Sequence, residues 1–270
     1  MFKNNQDGSS IYMLKTGHAG SKRLEHQHNL ISQSSYDRLK KEGLKQGSVV
    51  WDLGCGNGMM TAYLAKEVGP DGHVYAIDIS ETQLELAKER VAAQNFKNVT
   101  FIKADVGTEI NCPKESIDII FCRFLLMHVK NPDFVINTMK DVLKLGGSVV
   151  NQESTMSTQK GLFRKDLDAA IDAIIELGRH NNVDYDVRLR LKNLYNQAGF
   201  AHVEEDLSII DLSGKDIRTA FLMSLAEWKD KAIEANIATP EQVLLWQDVL
   251  QSIADDESFS CQFHHAIARK

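Results

Sequence analysis

Apolar residues fall in short blocks along the first half of this chain, each separated from the next by a longer amphipathic stretch. VVWDL at 49–53, HVYAIDI at 73–79, VTFIK at 99–103, IDIIFC at 117–122 and SVVNQE at 148–153 have the length of strands, and the first, second and fourth are rich in β-branched residues. Between them the apolar positions recur at helical spacing over Met59 to Val68, Ser80 to about Asn95 and Asp133 to Leu145, with a helix-like piece at Leu125 to Val129. Gly69-Pro70-Asp71-Gly72 and Gly146-Gly147 are breakers that close two of these runs, and Ser80 reads as an N-cap with Gln83 as its capping-box partner. Five such strands alternating with helices predict a parallel sheet covered on both faces.

The pattern changes after Glu153. Residues 154–198 are largely helical, with Leu167, Ile171, Ile174 and Ile175 on one face and a second run from Val187 to Gln197. His202 to Asp206 reads as a sixth strand, Lys215 to Asn236 as a long helix, Pro240 as the first residue of another, and Phe259 to Ala268 as a closing strand. At the other end, residues 1–10 carry no periodicity, Ile11 to Leu14 with the helical spacing that follows predict a lid and helix, and Tyr36 to Lys45 predicts a second helix. No linker or repeat separates independent units. The expected organisation is a single domain over 1–270, with a lid region at 1–47, a ligand-binding core at 48–153, helical caps at 154–198 and 212–258, and closing strands at 199–211 and 259–270.

Composition narrows the partners. A formal charge of −6 gives no general attraction to a phosphate backbone, so small molecules are favoured over nucleic acid. The cysteines, Cys55, Cys112, Cys122 and Cys261, form no C-x-x-C pair, which together with the absence of a signal-like N-terminus predicts a cytoplasmic protein. No apolar run reaches the ~20 residues of a membrane span. His18, His26, His28 and His128 lack the spacing of a metal site, so no metal is expected.

The chemistry gathers at VVWDLGCGNGMMTAYLA, residues 49–65, where a strand runs into a glycine loop and then a helix. Gly54, Gly56 and Gly58 permit positive φ and a close approach of backbone to ligand. Their D-x-G-x-G-x-G spacing differs from the G-x-G-x-x-G of dinucleotide sites, and Asp52 before the first glycine suits a cationic amino group better than a pyrophosphate. Asp78, 20 residues after Gly58, can accept both hydroxyls of a ribose, and Asp105 can accept from an exocyclic amine such as that of adenine. Three acids at the ends of three neighbouring strands describe an adenosine that carries an amino acid.

DLGCGNG, the acid of YAIDIS, KAD after the third strand, IDIIFCRFLLMHVKNP at the fourth and LKLGGSVV before the fifth resemble, in order, the motifs of the class I S-adenosylmethionine-dependent methyltransferases. The subgroup most similar is that of the small-molecule enzymes of the ubiquinone and menaquinone biosynthesis type. The resemblance covers about Ser48 to Glu153, and it extends less specifically to YMLKTGHAGSKRLEHQ, QAGFAHVEE and CQFHHAIARK. It implies a Rossmann-like, mostly parallel seven-stranded sheet and S-adenosylmethionine as cofactor. Gly54, Gly56 and Gly58 would line its methionine part, Asp52 its amino end, Asp78 the ribose and Asp105 the adenine amine. Ile79 and Val106 would flank the adenine ring, Tyr12 would close over the cofactor from the lid, and Arg123 would sit near its carboxylate.

In-line methyl transfer needs positioning and exclusion of water more than a protein base. If a base is used, His128 and Glu153 stand at the correct sheet edge, with His18 a third candidate. Other readings are a cofactor-binding sensor without activity, a methyltransferase of nucleic acid or protein, and a nicotinamide dehydrogenase. Cys122-Arg123-Phe124-Leu125 lacks the two prolines and aromatic that base-flipping amino methyltransferases carry after this strand, and the glycine spacing disfavours the dehydrogenase. The sequence leaves a monomer or homodimer open and does not identify the acceptor.

Overall fold

A computed structural model describes residues 17–108, 110, 114–161 and 164–270. Tyr12, the segment around it and Cys112 lie outside the described residues, as does the side chain of His18. The parallel strands are β1 (Val49–Leu53), β2 (His73–Asp78), β3 (Val99–Lys103), β4 (Ile117–Arg123) and β5 (Leu143–Glu153). Two more, β6 (His202–Ser213) and β7 (Ser258–Arg269), complete a seven-stranded sheet in the order β3-β2-β1-β4-β5-β7-β6. Only β7 runs against its neighbours, inserted between β5 and β6. The expected mostly parallel architecture is therefore present.

Alternation along the central strands sends side chains into two separate cores. Val50, Val74, Ile119, Phe121 and Val150 pack under α1 (Gly17–Lys41) and α2 (Met59–Val68), against Leu39, Met60, Leu64 and Val68. Trp51, Leu53, Ile120 and Val149 face the opposite way, toward α4 (Pro132–Val142), α5 (Asp168–His180), α6 (Arg188–Gln197), α7 (Gly214–Glu234) and α8 (Pro240–Gln251). A strand buried on both faces reads as an uninterrupted apolar run, which is why β1, β2 and β4 stood out in the sequence. Helix starts follow local chemistry: Asn131 caps α4 ahead of Pro132, Ser213 caps α7, and Thr239 with Gln242 forms a full capping box on α8.

Four boundaries differ from expectation. The N-terminal region is one 25-residue helix, α1, rather than a lid helix and a second one from Tyr36. Its C-terminal half is tied to the sheet by Ser35, whose hydroxyl donates to Gln152 at 2.6 Å, and by Arg38, buried among Glu42, Glu204 and Asp206. Its N-terminal half projects over the strand ends. Helix α4 stops at Val142 because Leu143 is already extended and pairs with Ile117, so β5 begins five residues before the expected Ser148. Strand β6 runs on to Ser213 since β7 offers a partner along its whole length. At α3 (Glu81–Ala93) Ser80 accepts from the Gln83 backbone as predicted, but the Gln83 side chain does not return the bond and is buried instead.

Gly58 stands apart from the other loop glycines. It holds φ +78°, and a Cβ there would lie 2.7 Å from Cα and Cβ of Ala87 on α3, so the residue serves helix packing rather than contact with a ligand. Replacing Gly58→Ala should lower the unfolding free energy by about 2–4 kcal/mol, the sum of left-handed strain and overpacking. Gly43→Ala, at φ +88° with open space around its Cβ, should lose only about 1 kcal/mol from strain. Urea denaturation midpoints of the two variants check the difference.

Candidate active site

One cavity of about 490 Å³ opens over the carboxyl ends of β1 to β4, beneath the N-terminal half of α1 and the cap helices. Asp52, Gly54, Gly56, Asp78, Ile79, Asp105, Val106, Arg123 and His128 all line it. Among the described residues, Gly58 and Glu153 are the predicted site residues that do not.

The glycine loop is held by backbone geometry. The Gly54 and Cys55 N–H groups both donate to the Ile77 carbonyl, at 2.8 and 3.0 Å, and the Gly56 N–H donates to Oδ2 of Asp78 at 2.8 Å. Gly54 and Gly56 have φ of +74° and +53°. Oδ1 of Asp78 accepts from the Ser80 N–H at 2.9 Å, so this carboxylate joins the loop to the start of α3 and retains lone pairs for a ligand. Burial raises its pKa above the ordinary range, against the opposing pull of those backbone N–H groups. Asp105 turns its own chain by accepting from the Gly107 N–H at 2.8 Å, and it remains partly exposed toward the cavity.

Asp52 is more enclosed than expected. It is buried on β1 and accepts a 2.5 Å bond from the Thr61 hydroxyl, and burial pushes its pKa up to about 6. Across the strand gap, on β4, sits Arg123, whose guanidinium is brought down to about 10 by burial while Asp52 pulls the other way. Its Nη2 donates to Nδ1 of His28 at 3.3 Å, and its Nη1 is shut off from solvent with no partner among the described residues.

That contact fixes the state of His28. Arginine can only donate, so Nδ1 must be an unprotonated acceptor. Burial, with Arg123 and Arg90 nearby, lowers the His28 pKa to about 4, so the ring is neutral and carries its proton on Nε2. That N–H donates to the Tyr36 hydroxyl at 2.9 Å, and Tyr36 in turn stacks on Tyr63 at a centroid distance of 3.8 Å. A chain of contacts through α1 therefore aims Arg123, and neither His28 nor Tyr36 carried a sequence signal for this. Gln83 is a second missed residue: buried at the cavity wall, its Oε1 has no partner among the described residues.

Of the two expected bases, His128 is weakly basic and Glu153 does not line the cavity. His128 lines the cavity beside Tyr185, but burial and then the Arg23 charge lower its pKa to about 3, leaving it neutral and weakly basic. Glu153 is fully buried behind the cavity, where Oε1 accepts from the Leu125 and Leu126 N–H groups at 3.1 and 2.8 Å. Burial outweighs those bonds and pushes its pKa up to about 8. It orders the turn after β4 instead of facing a substrate.

The far side of the cavity is apolar. Ile171 and Ile174 come from α5 and Leu167 from the turn just before it, Phe221 and Trp228 from α7, Trp246 from α8 and Phe263 from β7. Among the described residues no helix is long and apolar enough to cross a membrane.

A family model described as a methyltransferase domain matches residues 44–199. The demethylmenaquinone methyltransferase of Lactobacillus johnsonii is 30% identical over 178 residues, covering 61% of this chain and 72% of that one. The Staphylococcus aureus enzyme of the same name is 34% identical over 145 residues, and this match spans 51% of the chain and 58% of the relative's length. Among solved structures, an S-adenosylmethionine-dependent methyltransferase from Aquifex aeolicus superposes with a TM-score of 0.53 at 25% identity, over 70% of this chain and 92% of that one. The geranyl diphosphate C-methyltransferase of Streptomyces coelicolor gives 0.57 at 15% identity, over 93% and 83%, a likeness of fold alone.

The raised pKa of Glu153 makes a signed prediction. The folded state holds a proton between pH 4.5 and about 8 that the unfolded chain has released, so the stability this group contributes is complete below pH 4.5 and is lost as pH rises through 8. Glu153→Gln mimics the neutral form. Its unfolding free energy should match the native protein near pH 4.5 and exceed it at pH 8 by on the order of 3–5 kcal/mol, as measured by denaturation at each pH.

Proposed function

Since the chain belongs to the methyltransferase domain family, as a class I S-adenosylmethionine-dependent enzyme, we propose that this cavity holds the methyl donor at the strand ends and a small apolar acceptor under the cap helices. The observation that carries this reading is the division of one cavity into two chemistries. Three carboxylates and a guanidinium with one nitrogen that lacks a partner among the described residues stand at one end, and aromatic and aliphatic side chains at the other.

The residues fit the donor. In our reading Asp78 accepts from the ribose hydroxyls, Asp105 from the adenine amine and Asp52 from the amino group, while Ile79 and Val106 flank the base. Nη1 of Arg123 donates to the carboxylate, which supplies the partner it lacks among the described residues. When bound, S-adenosylmethionine supplies an electrophilic methyl group on a sulfonium. The protein's part is to align the acceptor in line with it and to keep water out, for which the apolar cap is suited. With His128 weakly basic and Glu153 occupied, we assign neither as a general base, so the acceptor's own nucleophilicity carries the attack.

We also read the chain as one catalytic unit over 1–270, in which 48–153 holds the donor and 154–198 with 212–258 selects the acceptor. A cytoplasmic setting fits the buried thiols of Cys55, Cys122 and Cys261, none of which is in a disulfide. A nucleic-acid acceptor is disfavoured by the net charge of −6.

Two ligands test the assignment by isothermal titration. S-adenosylhomocysteine carries the amino acid part, and 5′-methylthioadenosine lacks it. Asp78→Asn should weaken both by 10- to 100-fold, the worth of charge-assisted bonds to the ribose. Arg123→Gln should weaken S-adenosylhomocysteine by at least tenfold and leave 5′-methylthioadenosine within twofold; equal losses on both ligands would remove Arg123 from the carboxylate.

A further inference from the structure

Gln83 stands at the cavity wall in a place that α3 dictates. Ala87 and Arg90 share its face of the helix, one and two turns further on. Ala87 packs against Gly58, and Nε of Arg90 donates to the Asn57 carbonyl at 3.0 Å, so this face is turned toward the glycine loop. In the first turn the Gln83 N–H donates to the Ser80 hydroxyl at 3.4 Å, and the Ser80 N–H donates to Oδ1 of Asp78 at 2.9 Å. The Gln83 side chain therefore leaves the helix beside the Asp78 carboxylate, on the face that meets the loop.

This amide is only 4% exposed, and its Oε1 is closed off from solvent with no hydrogen-bond partner among the described residues. Leaving a polar atom in that state destabilises a fold. An apolar side chain of the same length, such as methionine, would fill the space without the penalty and is at least as good a helix former. The use of an amide here is to be sought in what enters the cavity.

We propose that the Gln83 amide is a second polar contact for the ribose of the bound nucleoside, beside Asp78. This rests on the reading above that the methyl donor occupies the strand ends. Each ribose hydroxyl has one hydrogen to give and lone pairs that accept. An ionised carboxylate can use the hydrogens and none of the lone pairs, and both oxygens of Asp78 already hold a backbone N–H, from Gly56 and Ser80. An amide carries an acceptor and a donor side by side. It takes a hydroxyl hydrogen on Oε1 or, turned about its soft terminal torsion, gives an Nε2–H to a hydroxyl oxygen. The adenine ring fits this position less well, because Asp105, Ile79 and Val106 already supply its polar and apolar contacts in our reading. A deoxyribose lacking the hydroxyl in question would leave the amide without its partner.

The test compares native protein with Gln83→Met by isothermal titration. The ligands are S-adenosylhomocysteine, 5′-methylthioadenosine and the 2′-deoxy and 3′-deoxy forms of the latter, the weaker ones measured by competition with S-adenosylhomocysteine. The variant should bind S-adenosylhomocysteine and 5′-methylthioadenosine three- to tenfold more weakly, the range of one neutral hydrogen bond. At least one deoxy form should bind native and variant alike within twofold, which identifies the hydroxyl that the amide touches. Without ligand, the urea midpoint of the variant should equal or exceed that of the native protein. The proposal is overturned if the variant binds 5′-methylthioadenosine within twofold of native. It is also overturned if both deoxy forms lose as much as the parent, which would move Gln83 to the base, or if the urea midpoint falls, which would assign the amide to the fold. Native protein that binds neither S-adenosylhomocysteine nor 5′-methylthioadenosine strikes the donor reading and this one with it, whereas native binding that Gln83→Met leaves unchanged strikes this one alone.

Discussion

The bond from the Gly56 N–H to the Asp78 carboxylate is the constraint on which the strand-end geometry depends. It turns the loop after β1 toward the end of β2, and the same carboxylate also takes the Ser80 N–H at the start of α3. Two loops that would otherwise move independently become one ledge. Because each backbone donor occupies only one lone-pair direction of its oxygen, the carboxylate fixes the ledge and still presents acceptor capacity above it. The side chain that ties the two loops together is therefore the same one that we propose for the ribose hydroxyls.

Helix α1 closes the other side of that space, and its two halves are secured by different means. Toward its C-terminus Ser35, Arg38 and Glu42 bind to Gln152, Glu204, Asp206 and Arg269, so this half is part of the sheet's cover. Toward its N-terminus Arg23, Leu24, Gln27 and Leu30 hang over the cavity, joined to the rest by the Arg23–Glu227 and Arg90–Glu25 contacts. His28 lies between the halves and transmits the position of the helix to Arg123. The rigidity of the anchored half thereby reaches the polar end of the cavity.

Much of this was legible in the residues, for identifiable reasons. Strands buried on both faces, such as β1 and β4, appear as unbroken apolar runs, and the acids at their ends are fixed by strand length. What was not legible depended on pairing between distant segments. The length of β6 is set by β7, the early start of β5 by Ile117, and the role of Gly58 by Ala87. Glu153 read as a candidate base because an acid at a strand end looks the same whether it faces a cavity or caps a turn behind it. His28 and Arg23 were hidden in an amphipathic helix where a polar residue is ordinarily solvated; their contacts with Arg123 of β4 and Glu227 of α7 come from segments distant in the chain.

The insertion of β7 between β5 and β6 carries a consequence for biosynthesis. Everything needed to pair β1 to β5 has been made once residue 153 has left the ribosome, but β6, at 202–213, has no neighbour until residues 258–269 follow. For that interval a twelve-residue strand is exposed on both edges, with Leu207 and Ile209 pointing outward. Its acidic stretch, Glu204, Glu205 and Asp206, confers like charge on any two nascent copies, so the residues that later receive Arg38 and Arg188 also discourage the strand from pairing with the wrong chain.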